Sequence, residues 1–197
     1  MKLMQTIFRK IFKGIRILWW RLRNQGLLTT LKWLYGRGIP KLTGVPLVAY
    51  SKITPHIYIG PQYGKYGKTR LQRLGVDHSV NLRVEFDDAQ AGLAMGNYCY
   101  LPTTDDAAPT IEHLERAAEF IAEAVEADKP VYIHCAGGVG RAPTAAAAYF
   151  ISTGMSVDEA LALIISKRPF IKVMPEQLEG LRAFEQHIRQ KQVAVVT

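Results

Sequence analysis

A chain of 197 residues with 48% hydrophobic content is long enough for one packed domain with an appendage and too short for several. Its net charge of +8 is unevenly spread: residues 1–76 hold fifteen Lys or Arg and no Asp or Glu, whereas residues 77–197 hold ten basic and seventeen acidic residues. Two cysteines, Cys99 and Cys135, exclude a disulfide framework, and a working thiol would need a reducing interior such as the cytoplasm.

The basic part is also the most patterned. Leu3, Met4, Ile7, Phe8, Ile11, Phe12, Ile15, Leu18, Trp19 and Leu22 recur at three-four spacing, one apolar stripe of a helix. Arg9, Lys10, Lys13, Arg16 and Arg23 lie opposite, and Trp19, Trp20 and Trp33 suit a lipid headgroup boundary. Basic residues interrupt the stripe too often for a membrane span or a secretory signal. Three roles stay open for residues 1–23: lying on an anionic membrane surface, packing on the chain's own domain or a partner helix, or targeting, which from a eukaryotic source would lead to the mitochondrial matrix. No acidic residues flank the stripe to pair with its cations, which disfavours a dimeric coiled coil, and no nucleic-acid fold accompanies the charge. A second amphipathic run covers Leu27 to Tyr35, and Gly36, Gly38 and Pro40 predict a break after it.

Beyond the break, short strands are expected near 48–50, 57–60, 78–82, 97–101 and 131–134, and helices near 67–74, 111–127, 142–153, 157–167 and 176–190. Ser156 and Glu159 have capping-box spacing, and Gly154 suits the end of the preceding helix. Strands alternating with helices imply an α/β fold, a mostly parallel central sheet with helices on both faces.

The stretch Val131 to Thr144, VYIHCAGGVGRAPT, carries the chemistry. A buried strand ends at His134, a helix begins after Arg141, and the loop between them, Ala136, Gly137, Gly138, Val139 and Gly140, is uncharged. Its glycines let successive backbone N–H groups turn into one concavity, which the helix dipole makes electropositive. Cys135, held there, is expected to ionise below its free pKa and act as a nucleophile. Arg141 offers a planar fork that can grip two oxygens of a phosphoryl group, which lysine cannot do. His134, at the strand end, reads as a satisfied structural residue with no part in proton transfer.

HCAGGVGR resembles the Cys-x5-Arg loop of the cysteine-dependent protein tyrosine phosphatases, and the wider chain resembles their dual-specificity branch. SKITPHIYIGPQ (51–62), GVDHSVNLR (75–83), NYCYLPTTDD (97–106) and KRPFIKVMPEQLEGLRAFE (167–185) are each similar to a segment of that branch, so the likeness spans about residues 48–190. It divides the chain into a basic helical segment, 1–41, and a catalytic domain, 48–190. Phosphatases that carry this loop near the N-terminus are excluded by its position two-thirds along the chain. The resemblance implies a metal-independent phosphomonoester hydrolase, without cofactor, that passes through a phosphocysteine. It also implies an aspartate general acid roughly thirty residues before the cysteine. Asp105 fits the family's six-residue run to Ile111, with Asp106 second; both could instead simply precede the helix begun by Thr110, where acidic residues favour the dipole.

Ala142 departs from the family, most members of which place serine or threonine after the arginine to assist the second step. Arg-Ala-Pro also occurs in glucan phosphatases, and Thr144 lies one helical position too far to substitute. The resemblance makes phosphorylated proteins the default substrate. A loop without lysine disfavours headgroups bearing several phosphates and leaves a phosphatidylglycerophosphate-like lipid monoester or a glucan open. A phosphate-binding module with slow turnover is the alternative from another class. Cys99, on the strand leading to the acid loop, reads as a buried small residue, with a disulfide to Cys135 under oxidation as the alternative.

Overall fold

The computed structural model describes residues 2–43 and 50–196, with side chains described for 12, 14–35 and 50–194. The chain forms two compact units, Met1–Val45 and Pro46–Thr197.

The first unit is helix α1, Lys2–Thr43, interrupted at Gly26, whose φ of 77° and ψ of 169° are non-helical. The guanidinium of Arg21 lies 4.7 Å from the centre of the Trp33 ring. Twelve residues along a straight helix would separate them by about 18 Å, so the chain reverses at Gly26 and α1 is a hairpin of two arms. The predicted break at Gly36, Gly38 and Pro40 does not occur, because helix continues through them to Thr43. A glycine costs a helix only about 1 kcal/mol, and the reversal falls where a positive φ is needed. The side chains of residues 3–11 lie outside the described set; of the stripe that follows, Phe12, Ile15 and Trp19 are exposed and Leu18 and Leu22 half-buried.

The second unit has a five-stranded sheet in the order β1-β2-β5-β3-β4. Its strands are β1 (Ser51–Lys52), β2 (Ile57–Pro61), β3 (His78–Arg83), β4 (Asn97–Thr103) and β5 (Val131–Cys135). All neighbours are parallel except the edge pair β1 and β2. The strand expected at 48–50 falls mostly outside the described residues, and β1 lies just after it. Every residue of central β5 is buried, which explains its unbroken apolar run before His134. Along β2, Ile57 and Ile59 enter the larger core and Tyr58 the smaller one on the other face, as strand alternation requires.

Helices α3 (Ile111–Glu126), α4 (Arg141–Ser152), α5 (Val157–Lys167) and α6 (Pro175–Val196) contribute to the larger core. Buried Leu114, Ala117, Ala118, Ile121 and Ala124 give α3 one apolar face, and Thr110 caps its start by accepting from the His113 N–H at 3.2 Å. Ala142 and Ala145 to Ala148 are fully buried, so α4 can be packed on all sides by its neighbours. Ser156 and Glu159 form the expected capping box. The opposite sheet face is covered by Leu71 of α2 (Lys65–Gln72) and by Leu93 and Met95 of the long β3–β4 connection.

The four parallel strands end on one side of the sheet. There, Gln62 follows β2, Glu85 follows β3, Asp105 follows β4 and Cys135 closes β5, which is where open parallel sheets assemble their sites.

Candidate active site

Cys135 is 4% exposed and its Sγ accepts the Gly138 N–H at 3.3 Å. Gly138 has φ of 61°, and a Cβ there would stand 2.4 Å from the Gly60 carbonyl oxygen, so only glycine fits. The loop carbonyls are held by bonds to donors behind the loop. Arg168 donates to the oxygens of Gly138 (Nε, 2.7 Å) and Gly137 (Nη2, 3.3 Å), and the Lys172 N–H donates to Val139 at 2.8 Å. In a planar trans peptide the next residue's N–H points opposite to the carbonyl, so these contacts turn the N–H groups of residues 138–140 towards the cysteine side. Gly140, the N-cap of α4, supplies no side chain to block the free N–H groups of the first turn.

Arg141 opens α4 and is 1% exposed. Its Nη1 donates to the carbonyls of Leu82 (3.2 Å) and Thr103 (2.8 Å), and both terminal nitrogens grip Glu85, at 2.9 Å to Oε2 and 3.0 Å to Oε1. Burial alone would lower the guanidinium pKa, but the Glu85 bonds and the charges of Cys135 and Asp105 outweigh it and raise it. Arg141 in turn holds Glu85 down to about 2. The buried Arg141 Nε has no hydrogen-bond partner among the described residues.

Asp105 Oδ1 lies 3.0 Å from Arg141 Nη2, while Asp106 takes a left-handed φ of 69° beside it. Both carboxylates are on the exposed turn after β4. Gln177, fully buried, ties that turn in place by donating to the Ala107 carbonyl at 3.0 Å while its oxygen accepts the Met174 N–H at 3.0 Å.

His134 is fully buried between Tyr63 and Tyr132, with ring centroids 5.0 and 5.7 Å away. Its Nε2 comes within 2.8 Å of Asp88 Oδ2, a close contact poorly directed for a hydrogen bond. Asp88 is also fully buried; burial pushes its pKa up, but His134 and the Gln62 amide outweigh that and hold it below the usual carboxyl value. Burial and the charge of Asp88 push the Tyr63 hydroxyl far up.

The Thr144 hydroxyl is bonded back to the Gly140 carbonyl at 3.0 Å, and Ala142 is fully buried. Cys99 sits on β4, two strands from β5 and about two residues short of Cys135 along it. That places the two Cα atoms roughly 12 Å apart, beyond the approximately 7 Å a disulfide spans, so no such bond forms without rearrangement.

Glu85, Asp88, Arg168 and Gln177 were not singled out in the sequence. Arg168 followed by Pro169 at the end of a helix was the one visible signal; the other three are single polar residues far from the loop in sequence.

A thiol at a strand end, a glycine loop with inward N–H groups, and a buried arginine at the following helix start define a cysteine-dependent phosphatase fold and loop. The chain matches the model of the dual specificity phosphatase catalytic domain over residues 57–187 and belongs to that family. It is 27% identical over 147 residues to Dual specificity protein phosphatase 8 of Mus musculus, covering 74% of this chain and 22% of the relative. It is 36% identical over 81 residues to Phosphatidylglycerophosphatase and protein-tyrosine phosphatase 1 of Rattus norvegicus, covering 41% of this chain and 42% of the relative. The solved structure of PTPMT1 superposes with a TM-score of 0.65 at 25% identity, over 74% of this chain and 99% of that one. The chain spans about a quarter of the length of the first curated relatives it matches.

Proposed function

We propose that the chain hydrolyses phosphomonoesters by way of a phosphocysteine, acting on phosphorylated proteins as its family does. The observation that carries this reading is the buried, unpartnered Nε–H of Arg141 beside a loop whose N–H groups face Cys135, a set of donors suited to a phosphoryl oxyanion. In the first step the Cys135 sulfur bonds to phosphorus, the ester P–O bond breaks, and Asp105 gives its proton to the departing oxygen. In the second, a water oxygen bonds to phosphorus, the S–P bond breaks, Asp105 takes the water's proton, and inorganic phosphate leaves. Arg141 and the loop N–H groups of residues 136–140 hold the equatorial oxygens through both steps, and His134 supports the loop. Asp105 is preferred over Asp106 because it alone of the two is paired with Arg141.

The decisive measurement is hydrolysis of an aryl phosphate in the presence of a chelator. The wild type should turn over, and Cys135→Ser should lose activity by a factor on the order of 10⁴ or more. Tight phosphate binding without turnover by the wild type would instead favour the binding-module reading.

A lipid phosphomonoester is the second reading. The rat relative supports it through its name, and so does the surface of the N-terminal unit. That hairpin is inverted in polarity: Arg21 is 2% exposed at the contact between the arms, whereas Leu28 is 77% and Phe12 70% exposed. Phe12, Ile15 and Trp19 on one arm and Leu27, Leu28, Leu31 and Leu34 on the other leave two apolar stripes facing outward. Such a surface suits an apolar medium on its outside, and the absence of acidic residues from residues 1–76 selects an anionic one. No described helix is long and apolar enough to cross a membrane, so the proposed attachment is interfacial. Beside Glu85, an open cleft of about 380 Å³ is walled by Glu85, Phe86, Asp87 and Tyr100; in this reading the rest of the substrate lies there, where the carboxylates would oppose a second phosphate. The proposed setting is a reducing interior at a membrane surface, because the thiolate must persist. Co-sedimentation with anionic vesicles should retain the full chain and lose the chain lacking residues 1–45; equal pelleting rejects attachment through the hairpin, and its self-association without lipid would assign the stripes to a second copy.

A further inference from the structure

A polar chain runs behind the site from one reacting group to the other. At one end, Asp88 Oδ2 lies against His134, the residue bonded to Cys135. Asp88 Oδ1 accepts the Gln62 side-chain N–H at 2.7 Å. The Gln62 oxygen accepts from Arg83 Nη1 at 3.0 Å, and Arg83 Nε donates to Glu85 Oε1 at 2.9 Å. Glu85 closes the chain on Arg141. Gln62 is the middle link, and its position needs an amide. Asp88 can only accept and Arg83 can only donate, so the residue between them must offer one donor and one acceptor. That requirement also fixes the amide orientation.

We propose that Gln62 is a positioning residue that couples the two reacting groups: its N–H holds Asp88 against His134 on the nucleophile side, and its oxygen holds Arg83 and Glu85 on the arginine side. The 84–96 connection carries both Glu85 and Asp88, so Gln62, at the end of β2, pins that connection at two points with one side chain. Loosening the pin lets Glu85 release its two-toothed grip on Arg141 and lets Asp88 drift from His134. The geometry of the phosphate site and the reactivity of Cys135 then change together, although Gln62 touches neither substrate nor thiol. Networks of this kind show couplings that isolated hydrogen bonds do not.

The inference rests on Cys135 and Arg141 being the reacting pair, so the test uses two readouts that need no turnover. One is the affinity for inorganic phosphate by calorimetry, which reports on the Arg141 end. The other is the rate of Cys135 alkylation by iodoacetamide, mapped by mass spectrometry to separate it from Cys99. Gln62→Met keeps the side-chain length and removes both polar contacts. It should shift both readouts by about threefold or more while melting as a folded protein. Gln62→Glu keeps the acceptor for Arg83 and loses the donor for Asp88. The new carboxylate also repels Asp88, so the connection loosens at that point, and both readouts should shift by about threefold or more, alkylation the further of the two. A folded Gln62→Met protein in which only one readout moves, or neither, overturns the coupling. If Gln62→Met does not fold, Gln62→Glu decides: movement of both readouts supports the coupling, and a change confined to one readout or none at all overturns it. Loss of phosphate binding by the wild type would instead remove the underlying site assignment, a separate failure.

Discussion

The two units place leucine in opposite ways and give their buried arginines different partners. In the unit from Pro46 to Thr197 the buried guanidinia of Arg141 and Arg168 meet carboxylates and carbonyls, and the leucines 71, 82 and 114 are fully buried. In the hairpin from Met1 to Val45 an arginine is buried against a tryptophan face and donates to the Gln25 side-chain oxygen, while four leucines, 27, 28, 31 and 34, stand between 42% and 77% exposed. The first arrangement gathers most of its large apolar side chains into two cores on the faces of the sheet. The second does not close on itself within the described residues. A sequence can therefore be locally consistent as helix and still leave its hydrophobic surface for something other than its own core.

The comparison is sharpest at the buried cations. Arg141→Lys keeps the charge and loses the fork that grips Glu85 with both terminal nitrogens, so kcat/KM on an aryl phosphate should fall on the order of 10³-fold with the fold intact by circular dichroism. A loss below tenfold would mean that charge alone suffices. Next in size, Asp105→Ala should lower kcat by about 10²-fold and spare slow turnover of substrates whose leaving group needs no proton, whereas Asp106→Ala should change it by less than about threefold. Equal effects at the two positions would undo the preference drawn from the Arg141 pairing.

On the hairpin side, Leu28→Ser or Phe12→Ser should each weaken partitioning onto anionic vesicles roughly tenfold, in line with burying one large apolar side chain, and leave aryl phosphate hydrolysis in solution unchanged. Unaltered partitioning would show that the stripes do not face lipid. The smallest effect concerns Glu85. Its folded pKa of about 2 lies below the ordinary carboxyl value of 4.5, so its contribution to stability is fully present above about pH 4.5 and is lost as pH falls towards 2. The melting temperatures of wild type and Glu85→Gln should differ by about 1–3 °C at pH 5 to 7 and converge as the pH falls towards 2, the small size reflecting a partly exposed carboxylate. A difference that persists at pH 2 would deny the ion pair its part.

Legibility in the sequence followed the range over which each residue acts. The strand into Cys135, the glycine loop and the alanine helix were readable because each depends on neighbours within a dozen positions, and α5 with its capping box fell on the expected residues. Glu85 and Arg168 act on the loop from 56 and 30 residues away, and only the proline after Arg168 marks either of them. Gln62 and Asp88 are separated by 26 residues and meet only because β2 and β3 flank β5 in the sheet. The hairpin was misread at its far end for the reverse reason: Gly36, Gly38 and Pro40 look like punctuation, but the reversal occurs at Gly26, where a single residue takes a conformation that side chains with a Cβ avoid.

Gly60 and Gly138 meet where a methyl group on either would collide, with the Tyr132 hydroxyl in one case and the Gly60 carbonyl in the other. That crevice is mutationally closed: a library randomised at these two positions should return almost nothing but the parent. Any evolutionary adjustment of rate or selectivity is thereby displaced to Val84, Gln90 and Ala91, exposed positions of the cleft beside Glu85 whose side chains face open space.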